Sequence, residues 1–313
     1  MSHRILVLLL YYNRPILVRD SLKSVIAAGQ KHANWEMAFI DDGSPIPGEP
    51  IVREILTPEE LEHVRFIRSD EGLASKLSRG GISGRWVTDA MHNSDADLAL
   101  FLCDDDRLHP DYFSNLNAWF ERNPGRNYCY SHLVGFDPVL ELPEEGERRR
   151  HPLNHVDELF PANRVDASQV CWRLDRIRRE RLSLPDNCGK ALDKPTFVLL
   201  SRLYGRCPYS GFVSQYKADN SGGLMSNSLR DVWKGTASPD VDGHIRRLTL
   251  DRCRKIVSSH LDNGDLAIAQ RVVRRIDQKF PEHPEWHKAL VELLNGYLTP
   301  FNPSGDLKRL PTR

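Results

Sequence analysis

Three consecutive aspartates, Asp104, Asp105 and Asp106, follow the apolar run Leu98–Cys103, and a second pair, Asp41 and Asp42, follows the run from Trp35 to Ile40. Carboxylates about 4 Å apart repel by about 4 kcal/mol at an effective dielectric of about 20, so such a group needs water, a raised pKa or a cation between its members. A divalent ion resolves the conflict most simply, and hard cations such as Mn2+ or Mg2+ take carboxylate oxygen. The plain alternative is a solvated acidic turn. Position argues against it, because both acid groups stand where an apolar segment leaves the core. Pro110 can open a helix just after the triple acid, and strand-to-helix crevices are where open α/β sheets bind ligands.

A second kind of chemistry is written between Ser69 and Asn93. Gly80, Gly81 and Gly84 permit close backbone approach, and Lys76, Arg79 and Arg85 can meet phosphate oxygens; the alternative is a merely flexible loop. Arg173, Arg176, Arg178, Arg179 and Arg181 cluster with Asp175 and Glu180. They read as a solvated helix face with local ion pairs before they read as a patch for an anionic acceptor.

The elements that must position these groups follow from periodicity. Ile5–Leu10, Trp35–Ile40, Val64–Arg68 and Leu98–Cys103 read as strands. Helices are expected after Pro15, with Val18, Leu22, Val25 and Ile26 inward and Gly29 closing it, and after the glycine loop, carrying Val87, Ala90 and Met91. A further helix puts Phe113, Leu116 and Phe120 on one face. Strands alternating with helices predict a mostly parallel sheet with right-handed crossovers and helices on both faces. Later, residues 127–136, 165–174 and 211–217 read as strands, 137–155 as a loop and 196–204 as a helix. Beyond a linker at 235–243 the pattern turns helical, with Leu266–Phe280 and Pro284–Tyr297 as a pair resembling one tetratricopeptide-like hairpin. The expected division is a main domain over residues 1–234 and a helical appendage with tail over 235–313.

The chain of 313 residues can build a large core and a smaller one. Its 43 basic and 43 acidic residues cancel, which argues against nucleic-acid binding by bulk charge. Six scattered cysteines suggest neither a zinc site nor a disulfide framework and fit a reducing compartment. The Ile5–Leu10 run is too short for a membrane span and lacks a secretory cleavage pattern, so a cytoplasmic protein is expected.

Tyr12-Asn13-Arg14-Pro15 after the first strand, Asp41-Asp42-Gly43-Ser44 after the second, Gly80-Gly81 after the third and Asp104-Asp105-Asp106 with Pro110-Asp111-Tyr112 after the fourth stand in one order. In that order and spacing the sequence resembles the family two glycosyltransferases of GT-A fold, over roughly residues 4–222 and most closely up to about residue 120. The resemblance implies a nucleotide-sugar-binding half over 1–120 and an acceptor half over 121–234. It implies that Asp41 hydrogen-bonds the nucleotide base, with Tyr12, Asn13, Arg14 and Asp42 around the same pocket and Gly80, Gly81 and Arg85 towards the donor. Asp104 matches the acid that holds ribose, and Asp104, Asp105, Asp106 and Asp219 form the expected metal set.

Several positions depart from the family pattern. Cys103 occupies a place where many members carry an acid. The loop from Ser69 to Arg79 is longer than usual and lacks the family's frequent Ala-Arg-Asn, and Asp219 replaces a late histidine. The family's catalytic base falls near Asp193, with Asp186 in reserve; a helix cap before Pro195 and Thr196 is the other use for Asp193.

The implied activity is metal-assisted, inverting transfer of a sugar from a nucleotide-diphosphate donor, UDP-linked by preference, to a hydroxyl of a saccharide. Two other readings compete. The Arg148-Arg149-Arg150 run and the arginine cluster would suit a modified base in DNA as acceptor, and the altered base region would suit a non-catalytic nucleotide-sugar-binding module.

Overall fold

A strand that is apolar at every position must be covered on both faces, and the chain builds that arrangement around β1 (Ile5–Tyr11) and β4 (Leu98–Cys103). Ile5, Val7, Leu9, Leu98, Leu100 and Leu102 pack into one core, while Leu6, Leu8, Ala99 and Phe101 pack into the other. The computed structural model describes residues 2–15, 17–71, 83–136, 149–150, 165–186, 188, 192–218, 250–251, 253–255, 257–258, 261–262, 266–279 and 283–298.

The chain divides into two compact units, one over residues 1–138 and 142–220, the other over 139–141 and 221–313. In the first unit α1 (Leu17–Lys31) leads from β1 to β2 (Trp35–Asp41). The helices α2 (Glu49–Ile55) and α3 (Pro58–Leu61) lead to β3 (Val64–Arg68), and α4 (Arg85–His92) precedes β4. Then come β5 (Arg107–Leu108), α5 (Tyr112–Arg122), β6 (Tyr128–Phe136) and β7 (Arg149–Arg150). A 3-10 turn (Ala167–Gln169) leads into β8 (Val170–Arg173), followed by α6 (Asp175–Arg179), α7 (Asp193–Tyr204) and β9 (Tyr209–Ala218). Val18, Leu22, Val25, Ile51, Val52, Phe113, Leu116 and Phe120 bring α1, α2 and α5 onto the first core. Val87, Met91, Ile177, Phe197 and Leu200 bring α4, α6 and α7 onto the second.

The sheet order is β3-β2-β1-β4-β8-β6-β9-β5, with β7 beside β6. Strands β3, β2, β1 and β4 are parallel as expected, but β8 runs antiparallel to β4, β6 antiparallel to β8, and β5 antiparallel to β9. The sheet is therefore mixed, parallel only through its first four strands and in the β6–β9 pair. The chain moves outward from β1 to β3 on one side and resumes with β4 on the other. That reversal puts a topological switch point at the carboxyl ends of β1, β2 and β4.

Among the described residues the local expectations hold with four corrections, while the linker at 235–243 and residues 137–148 and 151–155 of the expected loop lie outside them. Pro110 stands ahead of the α5 cap Asp111 instead of opening the helix. Gly29 does not close α1: it lies inside the helix, where a Cβ would stand 2.3 Å from Trp35 Nε1, so its use is close approach of that ring. The stretch expected as one strand over 165–174 opens with the 3-10 turn, which Asp166 caps by accepting Ser168 N–H at 3.0 Å. Two-residue β7 falls inside the expected loop 137–155, and two-residue β5 falls where no element was expected; such short pairings carry no periodic signal, and partner strands create them.

In the second unit α8 (Leu266–Lys279) and α9 (Pro284–Leu298) pack together as a helical pair. Ala269, Val272, Val273 and Ile276 of α8 and Trp286, Leu290 and Leu294 of α9 are buried, and His283 stacks on Trp286 at 4.8 Å.

Candidate active site

Parallel register lines the acids up. Tyr11 on β1 pairs with Asp41 on β2, and Leu10 pairs with Cys103 on β4. Each ladder runs one bond further, Asp42 N–H to Tyr11 C=O and Asp104 N–H to Leu10 C=O, both at 3.1 Å. Neighbouring strands lie about 4.8 Å apart, so Asp41 and Asp104 flank the end of β1 within about 10 Å of each other.

Asp41 is 2% exposed, and its carboxylate is fastened by the groups around it. Its Oδ1 accepts Ser44 N–H at 2.8 Å, and its Oδ2 accepts Gly48 N–H at 3.1 Å and Arg68 Nη1 at 2.7 Å. Arg68, the last residue of β3, also donates Nη2 to Ser44 C=O at 3.0 Å. Gly43 turns this corner at φ +68°, where a Cβ would meet Glu71 C=O at 2.3 Å, so only glycine fits. Asp42, half-buried, comes next to Tyr12: burial first, then Asp42, then Asp41 push the Tyr12 phenol above its usual range.

On the other flank Arg14 is 6% exposed and serves two acids with one nitrogen, its Nη1 lying 2.8 Å from Asp104 Oδ1 and 2.6 Å from Asp105 Oδ2. Asp104 Oδ2 accepts Tyr12 N–H at 2.8 Å. Asn13 makes this turn possible in the left-handed region, at φ 51°, a conformation asparagine tolerates. Its N–H donates to Ser44 Oγ at 3.1 Å. The turns after β1, β2 and β4 are thereby tied into one unit.

Burial dominates the electrostatics. It pushes the Asp104 carboxyl up to about 7 although Arg14 pulls it down, and the Asp106 carboxyl up to about 6 although Lys217 does the same. Arg14 itself is held well above its ordinary value: its burial is outweighed by Asp105 and Asp104. One guanidinium shared by two carboxylates is more than satisfied, while the Asp104 carboxylate is less than fully compensated.

The donor atoms of Cys103, Asp105 and Asp106 lie within 4.8 Å of one another. Two oxygens on opposite sides of a Mg2+ ion stand about 4.2 Å apart, so closure by a few tenths of an ångström would let one ion bridge this group. The two carboxylates fit a hard divalent ion, Mn2+ or Mg2+, while burial pushes the Cys103 thiol well above its ordinary value. Cys103 and Asp105 are half-buried, whereas Asp106 is 0% exposed.

Arg85 opens α4 with its guanidinium 5.1 Å from the centre of the Trp86 ring, outside the acid cluster. Asp193 is the first residue of α7, with Leu192 in the capping place, and Asp186 is exposed beyond Leu184. Gly80, Gly81, Lys76, Arg79, Arg148 and Asp219 lie outside the described residues. Of the arginine cluster, Arg176 pairs with Glu180 at 2.7 Å, while Arg178 donates to the Ser94 and Ala96 carbonyls at 2.7 and 2.6 Å.

Sequence reasoning overlooked Arg68, Ser44 and Lys217. Arg68 and Lys217 share one signal, a cation at or next to the end of a strand. Ser44 had its place in the Asp-Asp-Gly-Ser turn.

Residues 6–190 match the family described as glycosyl transferase family 2. No curated protein matches the chain. Among solved structures, S. aureus TarS 1–349 in complex with UDP-GlcNAc aligns at TM-score 0.54 and 13% identity, over 95% of this chain and 90% of that one. The mannosyltransferase PcManGT from Pyrobaculum calidifontis in complex with GDP-Man and Mn2+ aligns at TM-score 0.51 and 11% identity, over 98% and 77%. At such identity the likeness speaks for the fold, an α/β arrangement shared with GT-A glycosyltransferases. No described helix is long and apolar enough to cross a membrane.

Proposed function

The chain belongs to glycosyl transferase family 2, and from that premise we propose that it is an inverting, metal-dependent enzyme. In this reading it moves a sugar from a nucleotide-diphosphate sugar, UDP-linked by preference, to a saccharide hydroxyl. The observation that carries the reading is the convergence of Asp41, Asp42, Asp104 and Asp105 at the switch point, around Tyr12 and Arg14. Both solved neighbours hold nucleotide-diphosphate sugars, the donor class proposed here.

Asp41 builds the base pocket through Ser44, Gly48 and Arg68, and Asp42 with Tyr12 reads the base inside it. Asp105 would be the principal ligand of a Mn2+ or Mg2+ ion, which would neutralise charge on the departing diphosphate when bound. Arg14 keeps Asp104 and Asp105 at a fixed separation before any donor arrives. Asp193 takes the proton of the incoming hydroxyl, and a single displacement inverts the anomeric centre. The six free thiols suit a reducing compartment, and we place the enzyme in the cytoplasm.

Thermal stability measured with a panel of nucleotide sugars and Mn2+ tests the proposal, since a ligand at 100 times its dissociation constant adds about 2.7 kcal/mol. A UDP-sugar should raise the melting temperature and release UDP on turnover, and Asp105→Ala should abolish release while leaving the circular dichroism spectrum intact. A panel that stabilises nothing, or full turnover in Asp105→Ala, refutes it.

A further inference from the structure

Gly84, Thr88 and His92 recur at every fourth residue from the cap of α4 to its last turn, so they share one face of the helix. Each meets the segment that follows α6. His92 Nε2 lies 2.8 Å from Leu182 C=O, Thr88 Oγ1 accepts Leu184 N–H at 2.9 Å, and Gly84 N–H donates to Pro185 C=O at 3.0 Å. The segment therefore runs antiparallel to α4, from its carboxyl end to its amino end. It is extended, because Leu182 to Pro185 must cover the length of two helical turns, about 11 Å. Backbone groups outside a sheet need partners elsewhere, and α4 supplies three in succession.

The approach is closest at the amino end. A Cβ on Gly84 would stand 2.5 Å from Leu184 Cβ, 2.6 Å from the Pro185 carbonyl oxygen and 3.0 Å from Cys188 Sγ, so the close approach that Gly84 permits is to this segment. Leu184 and, further on, Leu192 are buried in the second core. Leu192 C=O accepts Thr196 N–H at 3.3 Å and Thr196 Oγ1 at 2.7 Å, which ties it to the first turn of α7. The chain leading into Asp193 is thus fastened to α4 and then to the core. Ser83 and Gly84 also continue directly from the glycine-rich stretch assigned to the donor, so one helix backs both segments.

We infer that Thr88 and Gly84 are positioning residues for Asp193. Through Leu184 and Pro185, α4 sets the register between the donor loop at its amino end and the segment that carries the base. The inference rests on the reading of Asp193 as the base of a sugar transfer. A shift of that segment costs turnover and spares donor binding, since misplacing a reacting group by about 1 Å costs about 10²-fold in rate.

The test is hydrolysis of UDP-GlcNAc by the whole chain with Mn2+, in which water stands in for the saccharide. The water oxygen bonds to the anomeric carbon, its proton goes to Asp193, and UDP leaves. UDP release gives kcat and calorimetry with UDP gives binding, for wild type, Thr88→Val, Thr88→Ser, Gly84→Ala, Asp193→Asn and the Thr88→Val, Asp193→Asn double variant, each checked for folding by circular dichroism. Thr88→Val keeps the shape and loses the hydroxyl; it should lower kcat about tenfold and change the UDP dissociation constant by less than about twofold. Thr88→Ser, which keeps the acceptor, should stay within about twofold of wild type, and Gly84→Ala should lose about 10²-fold in kcat. On the Asp193→Asn background Thr88→Val should cost less than about twofold, since no base is left to misplace. Wild-type kcat in Thr88→Val, a loss of UDP affinity in step with kcat, a Thr88→Ser variant as slow as Thr88→Val, or full additivity with Asp193→Asn overturns the inference alone. An Asp193→Asn variant with the wild-type rate overturns the base reading, and a wild type that releases no UDP overturns the sugar-transfer reading, each taking the inference with it.

Discussion

Replacing Arg14 by methionine removes the cation shared by Asp104 and Asp105. The guanidinium is 6% exposed, so the variant leaves two carboxylates facing each other in a poorly hydrated turn. Breaking a buried pair from one side costs about 3–5 kcal/mol. The pH dependence follows from the direction of the Asp104 shift. Its carboxyl titrates at about 7 in the folded chain and at about 3.9 when unfolded. Between those values the folded state binds more protons than the unfolded one, so this group's contribution falls as pH rises and levels off above about pH 7.

Without Arg14 the folded carboxyl climbs further, and the variant keeps losing stability above that point, by about 1.4 kcal/mol per pH unit. Urea unfolding of both proteins at about pH 5.5, 7 and 8.5 reads this out. The stability gap should widen by about 2 kcal/mol between the last two conditions. A gap below about 1 kcal/mol at pH 8.5, or one that does not change with pH, refutes the account of Arg14 as the buried counter-ion of this turn.

Other substitutions separate wall from ligand. Asp41→Asn should lower stability by about 1–3 kcal/mol, since it disturbs the acceptor of two backbone amides and Arg68; Asp42→Asn should instead weaken UDP binding in calorimetry with little change in melting temperature. Asp193→Asn should reduce turnover by about 10²- to 10⁴-fold while the dissociation constant for UDP-sugar stays put, and an unchanged rate removes it as the base. Gly29→Ala should cost about 1–3 kcal/mol in denaturant unfolding, because Trp35 must give way to the new methyl group.

The α/β character, the first four strands and their order of motifs were legible without coordinates, because runs such as Leu98–Leu102 are apolar at every position and admit only a doubly covered strand. The acids at the ends of β2 and β4 were legible for the same reason: a carboxylate directly after such a run marks the edge of the core. Strand neighbours were not. That β8 inserts antiparallel beside β4, and that β9 reaches the acid turn, depends on contacts between segments more than 60 residues apart, which local periodicity does not encode.

What each acid does was decided only in three dimensions. Asp41 and Asp42 are identical neighbours in the sequence, yet one is fastened by Ser44, Gly48 and Arg68 and the other stands beside Tyr12. Asp104, Asp105 and Asp106 are likewise indistinguishable as letters, and the fold divides them between Arg14 and Lys217. Chemical type is a property of the residue, and the sequence determines it. The protonation state, the counter-ion and the open coordination of a carboxylate depend on burial and on charges brought in from distant strands, so only the tertiary structure assigns them.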